Sequence, residues 1–174
     1  MRPLVIADQL RHDIPGGIGV YVRGLLNGLR GLEADATIYA GRSTTRPDPL
    51  LEFGLPVRTG LLPSKLLIQC WDRGLVHVPN DFDVVHATSM AVPPVSRNPL
   101  TTMVHDFAWR KFPETYPPRG RRWHEAALNR SIKRSAALLV PSAAIADQLM
   151  EDGVPSAVIT VAPLGVDHLE APDD

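Results

Sequence analysis

Apolar residues along the chain fall into two kinds of segment that alternate. Short apolar runs rich in β-branched residues, such as "LVIA" at Leu4–Ala7, are typical of buried strands. These runs predict strands at residues 4–7, 35–41, 55–59, 83–87, 100–106, 136–142 and 157–165. Most of them are apolar at nearly every position, so both faces of their sheet are expected to be covered.

Between the strands, hydrophobic residues recur at the spacing of one helix face. From Ile18 to Leu32 they follow one another at steps of 4, 3, 1, 3 and 3. Further helices are predicted at residues 64–74, 119–136 and 142–153. Ser142 is placed to cap the last helix and Gly153 to end it. Residues 42–54 are polar and contain proline, which predicts a loop.

This alternation of strands and helices indicates an α/β domain, a doubly wound parallel sheet with helices on both faces. A chain of 174 residues suits a single domain. We place that domain at residues 1–166 and a tail or interdomain linker at residues 167–174, where "HLEAPDD" carries no periodicity.

The composition limits which binding partners and which cellular compartment are expected. The net charge of −1 argues against nucleic acid as a partner. Cys70 is the single cysteine, cannot form an internal disulfide, and is expected to be a buried small hydrophobic residue. No apolar run approaches the roughly 18 to 20 residues that span a bilayer, and Asp8 interrupts the first run too early for a signal peptide. We therefore expect a cytoplasmic protein.

Two glycines, Gly16 and Gly17, lie between the first strand and the first helix. In open α/β sheets, ligands bind at the carboxyl ends of the strands. Glycines there let backbone N–H groups approach a ligand, and the start of a helix favours an anion. A turn that needs a positive φ explains the same residues equally well. No G-x-G-x-x-G dinucleotide motif is present.

Histidines at the ends of strands are the strongest candidates for chemistry. His105 and Asp106 follow the run "TTMV", so His105 is expected to face the same cleft as the glycine turn. The alternative is a hydrogen-bonded histidine with Asp106 capping the next loop. His86 follows "DVV" and is as readily a core residue, while His12 belongs to the glycine loop.

Several catalytic classes lack their motifs. The histidines are scattered and have no metal-ligand spacing, so no metal is expected. The G-x-S-x-G motif of α/β hydrolases and the G-x-x-x-x-G-K-[ST] motif of P-loop proteins are both absent from the sequence.

Residues 119–134 carry six basic side chains against one acidic residue, Glu125. A basic amphipathic helix lies on an anionic membrane surface in some proteins. In many others it is only a solvated face. Peripheral membrane contact through residues 119–134 is therefore one of two open expectations.

Taken together, four stretches resemble successive landmarks of the retaining GT-B glycosyltransferases of family four. They are "PGGIGVYVRGLLNGL", "FDVVHATSMAVPP", "TTMVHDFAWRKFPETYP" and "AALLVPSAAIADQLMEDGVPSAVITVAPLGVD". They occur in the family's order and cover almost the whole chain. The resemblance implies the first of two Rossmann-like domains. The second, donor-binding domain, with its basic pair and E-x7-E motif, is absent from this sequence.

The resemblance also implies roles for individual residues. Gly16 and Gly17 would meet the donor diphosphate, and His105 would lie beside the transferred sugar. Asp106 would orient His105 or touch the acceptor. Trp109 and Arg110, in "FAWRKFPETYP", would shape the acceptor pocket.

The implied function is the acceptor side of an enzyme that transfers a sugar from a nucleotide sugar to a glycosyl acceptor. No cofactor or metal is implied. The chain alone is expected to be inactive and to self-associate through the uncovered edge near Gly17, Met90, Val92 and Trp109. Two alternatives remain open: a nucleotide-sugar epimerase of GT-B architecture, which needs further cleft carboxylates, and a non-catalytic sugar or nucleotide binding module.

Overall fold

The structure, a computed structural model, describes residues 1–43 and 47–165. Its strands are Pro3–Ile6 (β1), Thr37–Arg42 (β2), Val57–Pro63 (β3), Val84–Ala87 (β4), Leu100–Met103 (β5), Ala137–Val140 (β6) and Ile159–Val161 (β7). Its α-helices are Gly16–Gly31 (α1), Ser64–Asp72 (α2), Ala108–Lys111 (α3), Pro118–Arg134 (α4) and Ala143–Glu151 (α5). Short 3₁₀ turns cover Asp8–Arg11, Pro49–Phe53, Pro113–Thr115 and Ser156–Val158.

All strands pair in parallel in one sheet, in the order β3-β2-β1-β4-β5-β6-β7. This confirms the predicted α/β class. The order reverses between β1 and β4, so the loops that follow these two strands turn away from each other. A crevice opens between them at the carboxyl edge of the sheet.

Side chains of β1 show how both faces of the sheet are covered. Val5 packs with the helix α1 residues Val22 and Leu26 on one face. Leu4 and Ile6 point the other way and pack in a second cluster with α2. A third cluster joins β6 to α4 and α5. The continuous apolar runs in the sequence are therefore those of a sheet buried on both sides.

Several boundaries differ from the predictions. Strand β5 ends at Met103, so His105 and Asp106 lie just beyond the strand. Gly16 and Gly17 form the first turn of α1 and are not in a loop before it. The predicted loop at 42–54 contains the end of β2 and a 3₁₀ turn.

Smaller features were also predicted differently. Ser142 occupies the N-cap position of α5 without a side-chain hydrogen bond to the helix, while Gly153 follows it with a φ of 84°. Cys70 is half-buried, not fully buried. Helix α3 was not predicted from the sequence. The tail at 167–174 lies outside the described residues, and the domain boundary stays a prediction.

The basic side chains of helix α4 lie in two different environments. Arg119, Arg122 and Lys133 are exposed. Arg130 pairs with Asp72 at 2.5 Å, and Arg134 donates to the carbonyl oxygens of Trp71 and Val92. Part of the positive charge thus joins α4 to α2. Within the described residues, no helix is long and apolar enough to cross a membrane.

Candidate active site at the carboxyl edge of the sheet

A cleft of about 340 Å³ opens at the carboxyl edge, where the strand order reverses. Its walls come from the turn after β1, the start of α1, helix α2, the loop after β4, and the segment from β5 into α4. Its lining residues are Ile6, Asp8, Gln9, His12, Ile18, Ile68, Trp71, Thr88, Ser89, Met90, Ala91, Met103, His105, Asp106, Trp109, Tyr116, Trp123 and His124. Four predicted site residues, His12, His105, Asp106 and Trp109, are among them.

His105 is held in one orientation by the neighbouring loop. Its Nε2 lies 2.8 Å from the carbonyl oxygen of Thr88, and a carbonyl only accepts, so Nε2 carries the proton. Burial lowers the pKa of His105, and the Thr88 hydrogen bond and the Asp106 charge only partly oppose it. The imidazole is therefore neutral near pH 7. Its Nδ1 makes no hydrogen bond to the described residues and is left as an acceptor.

His86 supports the site from behind. It pairs with Val5 and Thr101 in the sheet. Its Nδ1 lies 2.9 Å from Thr101 Oγ1, and its Nε2 lies 2.9 Å from the hydroxyl of Tyr21. Burial lowers the pKa of His86 to about 4, with a smaller contribution from His105, so it too is neutral.

Tyr21 links the two histidines. Its ring meets His86 edge-on with centroids 6.3 Å apart, and meets His105 edge-on at 5.1 Å. Burial raises the pKa of Tyr21 to about 12, so its hydroxyl remains protonated, and its hydrogen bond with His86 Nε2 takes the direction set by the His86 tautomer. Through Tyr21, helix α1 thereby packs against the ring of His105. Sequence reasoning did not single out Tyr21, because its role depends on a contact across the sheet.

The first turn of α1 presents backbone donors. The amide of Gly19 bonds to the carbonyl of Pro15, whereas those of Gly16, Gly17 and Ile18 precede the first helical bond. Gly16 has a φ of 62°, which favours glycine. A Cβ on Gly17 would meet nothing within 4 Å, so the space beside its Cα is open. Of these residues, Ile18 lines the cleft.

Aromatic rings form the wall opposite α1. Trp109 is buried and stacks on His124, with ring centroids 5.0 Å apart. Tyr116 and Trp123 meet His124 edge-on, at 5.3 and 5.1 Å. Glu125 accepts a 2.6 Å hydrogen bond from Trp109 Nε1, which fixes the indole. This wall is therefore built of aromatic rings that pack on one another.

The other predicted residues are placed as follows. Asp106 is exposed, and its Oδ1 accepts a 2.8 Å hydrogen bond from the amide of Ala108. His12 is exposed at the rim of the cleft. Arg110 lies away from the cleft, where it pairs with Glu125 at 2.7 Å and Asp152 at 2.7 Å. Those pairs join α3, α4 and the end of α5.

The structure also bears on two further expectations for this edge of the sheet: that it holds no metal ion, and that its apolar side chains drive self-association. In the described part of the chain, no three His, Cys, Asp or Glu side chains are grouped to hold a metal ion. The apolar side chains expected to drive self-association are mostly covered: Val92 and Trp109 are buried, and Met90 is half-buried.

The sheet order and a cleft at its reversal point define a Rossmann-like domain. The chain belongs to glycosyltransferase family 4, whose sequence model matches residues 15–169. It therefore has the fold of one domain of a GT-B protein.

Solved structures of HepE from Anabaena share this fold. They are its complexes with UDP and glucose, with UDP, and with UDP-glucose, at TM-scores of 0.56, 0.59 and 0.58 and sequence identities of 17%, 16% and 19%. Each match covers 96% of this chain and 44–45% of HepE, so the chain spans less than half of those structures. No curated protein sequence matches the chain.

Proposed function

We propose that this chain is the acceptor-side domain of a retaining glycosyltransferase that moves a sugar from a nucleotide sugar to a glycosyl acceptor. One observation carries the proposal. A neutral histidine, His105, with a fixed Nε2–H and a spare Nδ1 lines a cleft beside the open first turn of α1. Membership of glycosyltransferase family 4 supports sugar transfer as the chemistry of this arrangement.

The start of α1 would receive the donor diphosphate. Backbone amides of Gly16, Gly17 and Ile18 supply donors, and the helix dipole adds positive potential at the same place. The open space beside the Cα of Gly17 would give phosphate oxygens access to this turn. The HepE complexes with UDP and UDP-glucose support a nucleotide sugar as the donor. Since backbone donors neutralise part of the charge, the proposal includes no metal ion.

His105 would position the reacting groups without acting as a base. A hydroxyl of the transferred sugar or of the acceptor donates to Nδ1, while Nε2–H remains on Thr88. In retention at one face, the acceptor oxygen bonds to the anomeric carbon as the bond from that carbon to phosphate oxygen breaks. The acceptor proton passes to the departing phosphate oxygen. We expect His105 to contribute by holding the acceptor hydroxyl and the transferred sugar in the correct relative position.

The acceptor would lie in the cleft between Asp106 and the aromatic wall of Trp109, Tyr116, Trp123 and His124. Rigid rings supply contact area at little entropic cost. The cleft forms one wall of a transfer site, and transfer needs a second wall to exclude water and hold the donor. The 174-residue chain is therefore expected to bind nucleotide sugar weakly and to transfer none.

A side-by-side transfer assay tests this proposal. The 174-residue chain and the product of the complete gene are each given UDP-, GDP-, dTDP- and ADP-sugars with sugar and polyol acceptors. We expect transfer only by the complete product, with the anomeric configuration of the donor kept, as read by NMR. An inverted product would overturn retention. Epimerised donor without transfer, or binding without turnover, would replace the proposal by the epimerase or the binding module.

A further inference from the structure

The 3₁₀ turn that follows β1 is anchored at both of its ends. Asp8 is buried, and its Oδ1 accepts from the amide of Gly41 at 2.8 Å and from the hydroxyl of Ser64 at 2.6 Å. At the other end, the guanidinium of Arg11 donates to Asp48 and to the carbonyl of Gly41. These bonds join the turn to the end of β2 and to segments that follow it in the chain. The turn is therefore held in one position at the carboxyl edge of the sheet.

Gln9 extends from this anchored turn to the start of helix α1. Its side-chain nitrogen, Nε2, lies 2.8 Å from the carbonyl oxygen of Pro15. A carbonyl oxygen only accepts, so the side-chain amide of Gln9 is the donor. The same oxygen accepts at 3.1 Å from the amide of Gly19, which is the first backbone bond of the helix. Gln9 therefore ties the turn to the N-cap residue of α1.

The helix start depends on this bond because the chain that leads to it has little support of its own. Residues 12–14, which connect the turn to Pro15, are all exposed. At the helix itself the packing is close: a Cβ on Gly19 would lie 2.2 Å from the Cβ of Pro15. Leu10 adds apolar contact, since it belongs to the cluster that includes Val22. The position of the first turn of α1 is thus set by the proline, by the apolar packing and by the side-chain bond to its carbonyl.

We propose that Gln9 is a positioning residue for donor binding. It acts through the Pro15 carbonyl and holds the first turn of α1, so that the amides of Gly16, Gly17 and Ile18 are placed to bind the donor together. Gln9 and Ile18 both line the cleft, which puts this bond at the site itself. Several backbone donors bind one anion well only when their relative positions are fixed in advance. The assignment rests on the proposed function, because the donor diphosphate is the group that these amides would bind.

Gln9→Met tests the assignment in the product of the complete gene. Methionine keeps the length of the side chain and adds no charge, but it cannot donate to the Pro15 carbonyl. The KM for the nucleotide sugar is expected to rise about three- to tenfold, as for the loss of one hydrogen bond. The value of kcat and the KM for the acceptor are expected to stay unchanged, because only uniform binding of the donor is weakened. Gln148→Met is the matched control, at an exposed glutamine of α5.

A second measurement uses the 174-residue chain and needs no sugar transfer. Inorganic pyrophosphate is titrated into the chain while the backbone amide resonances of α1 are followed by NMR. In wild type, we expect the resonances of Gly16, Gly17 and Ile18 to move. In Gln9→Met, the midpoint of the titration is expected to lie at a concentration about three- to tenfold higher. The unfolding temperature should stay close to that of wild type, because the Pro15 carbonyl keeps its bond from the backbone.

Three results would overturn the assignment. An unchanged donor KM and an unchanged titration midpoint in Gln9→Met would show that Gln9 positions nothing. A lower kcat with both KM values raised, or equal effects in Gln148→Met, would mean that the domain as a whole is loosened. Wild-type amides that do not respond to pyrophosphate would show that this turn binds no diphosphate.

These outcomes are separate from the transfer assay. Pyrophosphate binding that depends on Gln9, without sugar transfer by the complete product, would leave the positioning role standing and refute the transferase. Sugar transfer with an unchanged donor KM in Gln9→Met would leave the transferase standing and refute the role of Gln9.

Discussion

Stability at mildly acidic pH provides a direct test of the site's interior. His86 is neutral in the folded chain, where burial lowers its pKa to about 4. In the unfolded chain the same side chain has a pKa of about 6.5. Above that pH, neither state holds the proton and His86 adds no pH dependence. As pH falls from about 6.5 to 4, the unfolded state binds a proton that the folded state does not bind, so the free energy of unfolding decreases.

The size of this effect follows from the two pKa values. At pH 5, a histidine that titrates near 6.5 when unfolded and at about 4 when folded destabilises the protein by about 2 kcal/mol relative to pH 8. For a domain of this size, that corresponds to a melting temperature lower by about 4–8 °C. Urea unfolding at several pH values between 8 and 5 measures the loss.

His86→Gln isolates the contribution of this residue. Glutamine does not titrate but still offers a partner to the Tyr21 hydroxyl. The variant is expected to be less stable at every pH, yet to lose about 2 kcal/mol less than wild type between pH 8 and 5. His77→Gln is the matched control, because His77 is exposed. Equal pH dependence in wild type and His86→Gln would refute the buried, neutral His86 described above.

Three further predictions concern the cleft and its surroundings. His105→Ala in the complete product is expected to lower kcat/KM by roughly 10² to 10³, with His105→Gln keeping part of the activity and no pH–rate limb lost. Gly17→Ala is expected to raise the free energy of unfolding by about 0.5–1 kcal/mol and to weaken donor binding, whereas Gly24→Ala in the same helix changes stability alone. Arg110→Ala is expected to lower stability by about 1 kcal/mol through its partly exposed pairs and to leave kcat/KM unchanged.

Each of these predictions has an outcome that contradicts it. A near-wild-type rate for His105→Ala would remove His105 from the site. A pH–rate limb that vanishes in an inactive His105→Gln would replace positioning by base catalysis. An equal loss of donor affinity in Gly17→Ala and Gly24→Ala would mean that the effect comes from helix α1 as a whole and not from the position of Gly17. A large activity loss in stable Arg110→Ala would return Arg110 to the acceptor pocket.

Hydrophobic patterning was sufficient to predict the class and order of the elements. All the predicted strands are present, and the continuous apolar runs mark inner strands that are covered on both faces, whereas the edge strands β3 and β7 are largely exposed. The ends of elements were harder to predict. In "LTTMVHD", Val104 is as apolar as Met103, yet the strand ends at Met103. Helix α3, at Ala108–Lys111, has only four residues and is too short for a periodic signal.

The site was predictable where it depends on position in the fold. Gly16, Gly17 and His105 follow strands whose carboxyl ends meet, and parallel pairing brings them to one edge. The support of the site was not predictable, because Tyr21 contacts His86 and His105, and Asp8 accepts from Gly41 and Ser64, across distant segments. Asp8 looked like a residue that merely ends a strand. Only its burial with one unpartnered oxygen distinguishes it.

The two strand-end histidines show why a shared sequence signal leads to different roles. His86 is still within β4, opposite Val5, so its ring points into the packing of α1 and both nitrogens are occupied, by Tyr21 and Thr101. His105 lies two residues beyond the end of β5, where the chain has left the sheet and one nitrogen is held by Thr88. A histidine with both nitrogens engaged orients its neighbours and resists protonation. A histidine with one nitrogen fixed and one open is oriented for a ligand. His86 and Tyr21 are therefore expected to orient His105, and His86→Gln should lower kcat/KM of the complete product as well as the stability of the fold.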